Sequence, residues 1–162
     1  MFNFILNLFS KKRKVAQISA NVATSLNTCF FKIKRRNGGE LFLLFKDDKF
    51  ILGYIFGTCN VASHAFNLNK PKHQISVVTQ VHEHLFNENC QEITSNTSSL
   101  NLDKNDLFKQ GQEIALTEYY DYINIAMKMK GNVEPSFKPF KKLNGYLAQN
   151  YSSLIDDNVE EF

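Results

Sequence analysis

Between Val15 and Ile33 the apolar residues recur every three or four positions: Val15, Ile18, Val22, Leu26, Cys29 or Phe30, and Ile33. Gln17, Asn21, Thr24, Thr28 and Lys32 fall on the opposite side. Residues three and four apart share one face of a helix, so this period predicts a helix over 11–36. Asn37-Gly38-Gly39 stops it, because glycine accepts the left-handed backbone of a helix C-cap.

The residues ahead of this helix pose a different problem. Met1 to Phe9 is almost pure hydrocarbon, and Lys11-Lys12-Arg13-Lys14 follows at once. Wound as a helix, Asn3, Asn7, Ser10 and Lys14 form one narrow polar stripe, and Phe2, Phe4, Ile5, Leu6, Leu8 and Phe9 cover the rest. Each large apolar side chain gains roughly 1.5–3 kcal/mol on burial. The segment therefore needs the protein's own core, a partner or a lipid surface. Phe2, Phe4, Ile5, Leu6 and Phe9, with Lys11, Lys12, Arg13 and Lys14, are the candidate contact residues. An ordinary signal peptide is not indicated, since the basic cluster follows the apolar run and no small-residue cleavage site comes after it. Nine apolar residues are also far fewer than the roughly 20 that span a bilayer. The uncharged stretch Phe50 to Phe66 is interrupted by Asn60, Ser63 and His64, which argues against a second spanning segment.

Charge is unevenly distributed. Residues 1–39 carry Lys11, Lys12, Arg13, Lys14, Lys32, Lys34, Arg35 and Arg36 and no acid, so against a total of +3 the remainder is net negative. The chain closes on Asp156, Asp157, Glu160 and Glu161, an acidic tail over 155–162. Such asymmetry marks either attraction to an anionic partner or pairing of basic and acidic segments within the fold. Cys29, Cys59 and Cys90 form no CxxC pair, so neither a zinc ribbon nor a redox dithiol is signalled, and free thiols in a reducing compartment explain them.

Further along, Leu41 to Phe45 is apolar all round, Lys46-Asp47-Asp48-Lys49 is polar, and Phe50 to Phe56 is apolar again. The preferred reading is a buried helical turn at Leu41–Phe45, then a helix capped by Asp47 or Asp48 and running to about Asn67. The alternative is an α+β fold with a short antiparallel hairpin around residues 29–57. Gly53 and Gly57, four apart, let another backbone come close, and Gly111 marks a second close crossing. Lys70-Pro71-Lys72 reads as a linker. A helix over 74–87 places Ile75, Val78, Val81 or His82, and Leu85 inward. The Ser-, Thr- and Asn-rich stretch from Asn89 to Asn101 reads as the longest loop. Asp103 or Asn105 then caps a helix ending near Gly131, with Leu107, Phe108, Ile114, Ala115, Tyr119, Tyr122, Ile123 and Ala126 inside. Pro135 and Pro139 mark an extended turn, and Phe140 to Leu154 a final, weaker helix. The fold class is all-α: residues 1–162 form one domain, a bundle of five or six helices.

Little chemistry is signalled. In His82-Glu83-His84 the two imidazoles are two residues apart on a helix and point to opposite sides, so they cannot share an ion. No metal or cofactor is expected. Tyr119 and Tyr122 belong to the core, leaving Tyr120 and Asp121 as exposed partner contacts. A small enzyme with a site near Tyr120, Asp121 and His64 is the weakest option, since no nucleophile elbow, phosphate loop or dinucleotide fingerprint accompanies them. Lys11 to Val15 also fits the short basic pattern of a nuclear localisation signal, a pattern common by chance. Nucleic acid is disfavoured, because no aromatic residues are interleaved with the basic clusters and no binding motif is present. The expectation is a small cytoplasmic protein without enzymatic activity, acting through contacts with a protein partner or a second copy of itself in a homodimer. The alternative is a peripheral membrane protein, anchored to an anionic surface by the amphipathic N-terminal segment and its basic cluster.

Overall fold

The computed structural model describes residues 2–128 and 140–155, with side chains described for 10–126 and 140–155. The helices are α1 (Phe2–Arg36), α2 (Phe42–Phe45), α3 (Lys49–Ala65), α4 (Pro71–Phe86), α5 (Cys90–Leu102), α6 (Asp106–Lys128) and α7 (Lys141–Asn150). Among the described residues there is no strand, so the all-α reading holds and the hairpin alternative is overturned. The apolar residues at 29–57 go to the core of a helical bundle instead of one face of a sheet. The expected final helix over 140–154 is α7 followed by a single 3-10 turn at Ser152–Leu154, while the acidic tail from Asp156 onward lies outside the described residues, as do Gly131, Pro135 and Pro139.

The core of α1 follows its period: Val15, Ile18, Val22, Leu26, Phe30 and Ile33 are buried, while the opposite stripe faces solvent. Gly38 and Gly39 end the helix with positive φ, and the Gly39 N–H donates to the Lys34 carbonyl at 2.8 Å. The helix and its apolar N-terminal segment are one continuous element. Leu41 and Phe45 then turn into the core through the single turn α2. Asp48 starts α3 as its N-cap, accepting from the Ile51 N–H at 3.0 Å.

Helix α3 is buried almost all round and crosses α6 at very close range. A Cβ built on Gly53 would overlap the Phe108 carbonyl oxygen and lie 2.8 Å from Phe108 Cα. One on Gly57 would lie 2.8 Å from the Gln112 carbonyl oxygen, and one on Gly111 would overlap the Phe50 carbonyl oxygen. Glycines on both helices therefore bring the two backbones into direct contact. This is the packing role that the Gly53/Gly57 spacing and Gly111 predict.

Two half-buried carboxylates attach α7. Glu118 on α6 accepts from the Tyr54 hydroxyl at 3.0 Å and from the backbone N–H groups of Lys142 at 2.6 Å and Leu143 at 3.3 Å. It thus supplies the first turn of α7 with an acceptor that the Phe140 side chain at its N-cap does not provide. At the other end of α7, Asp48 accepts from the hydroxyls of Tyr146 and Tyr151, and the Tyr146 ring stacks on Phe50 with centroids 3.9 Å apart.

Four expectations need correction. Pro71 is the first residue of α4, not part of a linker, because a proline without an N–H fits the N1 position of a helix. Ile75 stands 63% exposed, since the inner face of α4 is made by Val77, Val78, Val81, His82, Leu85 and Phe86. Leu107 is 54% exposed because Phe108 fills the crossing at that level. The expected long loop is helix α5: Ile93 and Thr97, one turn apart, are buried, and Thr94 and Ser98 return their hydroxyls to carbonyls four residues earlier. Burial of one narrow face overrides a weak local propensity there.

The crossing gives a paired prediction. Gly53→Ala or Gly111→Ala forces α3 and α6 apart and lowers stability by about 1–3 kcal/mol or more. Gly145→Ala, on α7 with open space around the added carbon, raises stability by roughly 0.5–1 kcal/mol. Urea unfolding followed by circular dichroism reads both signs.

Candidate functional site

Lys11, Lys12, Arg13 and Lys14 come immediately before Val15, and all four are exposed. Successive helical residues turn by about 100°, so the four cations ring α1 instead of lining one face. A second basic pair, Lys70 and Lys72, flanks Pro71 at the start of α4. His73 follows Lys72 and is half-buried. Its pKa lies below the ordinary value, first because it is partly buried and then because Lys72, Lys11 and Lys70 act on it. Every charged contribution is cationic.

Helix directions place this cluster at one end of the molecule. Lys11 sits near His73 at the start of α4, and Leu41 and Phe42, just beyond the end of α1, line one cleft with Leu85 and Phe86 at the end of α4. Helices α1 and α4 therefore pack together and run in the same direction, with the start of α4 on the Lys11 side. Beyond Lys11, α1 continues helically for nine more residues to Phe2, about 14 Å. The side chains of Phe2, Phe4, Ile5, Leu6 and Phe9 lie outside the described residues.

Other sequence candidates do not assemble into a site. Tyr120 and Asp121 are exposed on α6, while Tyr119 is buried and Tyr122 half-buried, as expected. His64 lies 3.3 Å from Gln74 across the α3–α4 pair, and no hydrogen bond joins it to Tyr120 or Asp121 among the described residues. His82 and His84 point to opposite sides of α4: His84 is exposed, and His82 is buried with Nδ1 2.9 Å from the Thr94 hydroxyl. Among the described residues no three His, Cys, Asp or Glu side chains come together as a metal site. The three cysteines are free; Cys59 is fully buried, and burial followed by the Glu118 charge pushes the Cys29 thiol up to about 12. No described helix is long and apolar enough to cross a membrane.

Lys70 and Lys72 are what sequence reasoning missed, because a linker reading detached them from Lys11. The available signal was Pro71 itself, a helix-start residue that carries a lysine on each side. No family model, curated protein or solved structure matches the chain.

The buried imidazole at the other end of α4 sets a pH dependence. Burial lowers the His82 pKa to about 4, whereas an unfolded histidine titrates near about 6.5. Between those values the unfolded chain binds the proton and the folded chain does not, so stability is complete above the unfolded pKa and falls as pH drops towards the folded one. From about pH 7 to about pH 5 the His82 contribution falls by about 2 kcal/mol. His82→Gln removes that component of the acid slope, read from urea midpoints at the two pH values.

Proposed function

We propose that this helical bundle is a peripheral membrane protein that docks on an anionic lipid surface through its basic end. One observation carries the reading: Lys11, Lys12, Arg13 and Lys14 are all exposed on α1, which is one continuous helix from Phe2 to Arg36. They stand at the root of a helix start whose residues are Phe9, Leu8, Leu6, Ile5, Phe4 and Phe2. An interfacial helix combines an apolar surface with lysines at headgroup level, and each signal alone is weak. Each lysine near an anionic leaflet contributes about 1 kcal/mol. The function is then recruitment or scaffolding at a membrane, with no catalytic step required. A contact with a protein partner or with a second copy is the second reading. It draws support from Leu116 and Tyr120, four apart and each more than half exposed on α6 beside Asp121.

Sedimentation with vesicles of phosphatidylcholine, with and without phosphatidylserine, tests the first reading. The full chain should pellet only with the anionic vesicles, and less as salt rises. Each of Lys11→Gln, Lys70→Gln and Lys72→Gln should weaken binding about fivefold. Equal binding to neutral vesicles, no binding, or indifference to these lysines overturns it. For the second reading, Leu116→Asp with Tyr120→Asp should shift a self-association equilibrium measured by analytical ultracentrifugation, leaving the monomer folded.

A further inference from the structure

The sequence holds two Asn-Gly pairs, Asn37-Gly38 and Asn144-Gly145. In such a pair the glycine nitrogen can attack the asparagine side-chain carbonyl, because no Cβ on the glycine shields it and its backbone turns freely. The fold treats the two pairs in opposite ways. Asn144 and Gly145 lie inside α7, where each N–H is turned along the helix axis towards a carbonyl four residues back. The Asn144 N–H meets the Phe140 carbonyl in this way at 2.9 Å. The Gly145 nitrogen is free to turn on its neighbour only when α7 opens.

Asn37 and Gly38 follow Arg36, the last residue of α1, in the turn that leads to Leu41. Gly38 has φ +64°, and a Cβ built on it would meet nothing within 4 Å. Its N–H makes no hydrogen bond among the described residues. The N–H groups on either side do: Asn37 donates to the Ile33 carbonyl at 3.0 Å and Gly39 to that of Lys34 at 2.8 Å. The Asn37 carboxamide reaches forward across the turn, donating from Nδ2 to the Glu40 carbonyl at 2.8 Å. Gly38, Gly39 and Glu40 are exposed and Asn37 is half-buried, so water reaches the pair. Lys34, Arg35 and Arg36 occupy the last turn of α1. Their positive charge favours the nitrogen anion that the attack needs, and it outweighs Glu40 and the roughly half negative charge of the helix end.

We propose that Asn37 is a site of spontaneous deamidation, while Asn144 in the same chain is protected. The Gly38 N–H gives its proton to solvent base, the nitrogen bonds to Asn37 Cγ, and Nδ2 leaves as ammonia. Water then opens the five-membered cyclic imide at either carbonyl, leaving aspartate or isoaspartate at position 37. The sequence of steps consumes only water and involves no change of oxidation state. Both products replace the Nδ2 donor with a carboxylate, so acceptor faces acceptor at the Glu40 carbonyl, and a negative charge enters a group of three cations. Isoaspartate also lengthens the backbone by a methylene, ahead of the turn that delivers the buried Leu41 to the core.

The test ages the full chain in warm, mildly alkaline buffer made with heavy-oxygen water, then digests it with a lysine-specific protease. Cleavage after Lys34 and Lys142 gives peptides that begin at Arg35 and Leu143 and carry one Asn-Gly pair each. Mass spectrometry reads the exchange of amide for isotopically labelled carboxyl at each pair. In the native chain Asn37 should convert about tenfold or more faster than Asn144, whose reaction waits on opening of α7. In urea the two rates should converge, because the same dipeptide reacts without a fold around it. Asn37→Gln, which cyclises far more slowly, should leave the first peptide intact and the Asn144 rate unchanged. Equal native rates at the two pairs, or an Asn37 that persists in the native chain while the unfolded chain converts, overturns the proposal.

Discussion

Direct backbone contact between α3 and α6 is the constraint on which the rest of the molecule depends. Gly53, Gly57 and Gly111 remove the side chains that would otherwise hold two helices about 8–10 Å apart. Phe108, Gln112 and Ala115 of α6 then lie against α3 itself. A glycine inside a helix costs roughly 1 kcal/mol relative to alanine, and three such positions are kept because the approach they permit lets large side chains close around it. Phe50, Ile51, Leu52, Tyr54 and Ile55 are all buried on the first half of α3.

The crossing also decides where polar groups can be satisfied. With α6 against α3, Glu118 reaches the Tyr54 hydroxyl and the open N-terminus of α7 together. Asp48 serves the start of α3 with one oxygen and draws in Tyr146 and Tyr151 from the far end of the chain. A short helix with only Leu143 and Leu147 buried on its inner face is held by these hydrogen bonds as much as by hydrophobic area. Hydrogen bonds to a charged acceptor are the stronger kind, which suits them to fixing a weakly apolar element.

At the opposite end of α3 the balance is reversed. The turn over 66–70 returns the chain so that α4 starts beside Lys11, and like charges gather where no core contact requires them. Their mutual repulsion is tolerable in water, where screening is strong. The arrangement becomes favourable against a surface of opposite charge. The fold thus satisfies Asp48 and Glu118 around α3 and α7 and leaves Lys11, Lys70 and Lys72 exposed.

The sequence by itself determined the all-α class and, α5 and the start of α4 apart, where its longer helices lie. The Val15–Ile33 period, the Asn37-Gly38-Gly39 stop, a cap at Asp47 or Asp48, another at Asp103 or Asn105 and the three crossing glycines were all legible, because each is a local relation between neighbours on one helix; the structure chose Asp48 and Asn105. The partner of each face was not legible. Nothing within the helical period of α4 distinguishes Ile75 from Val78; the neighbouring helices bury one and leave the other in solvent. The helical state of α5 depends on a groove that accepts Ile93 and Thr97. The approach of Lys11 to Lys70 and Lys72 depends on α1 and α4 running in the same direction. These are long-range relations set by packing, so only the tertiary structure brought the candidate site together.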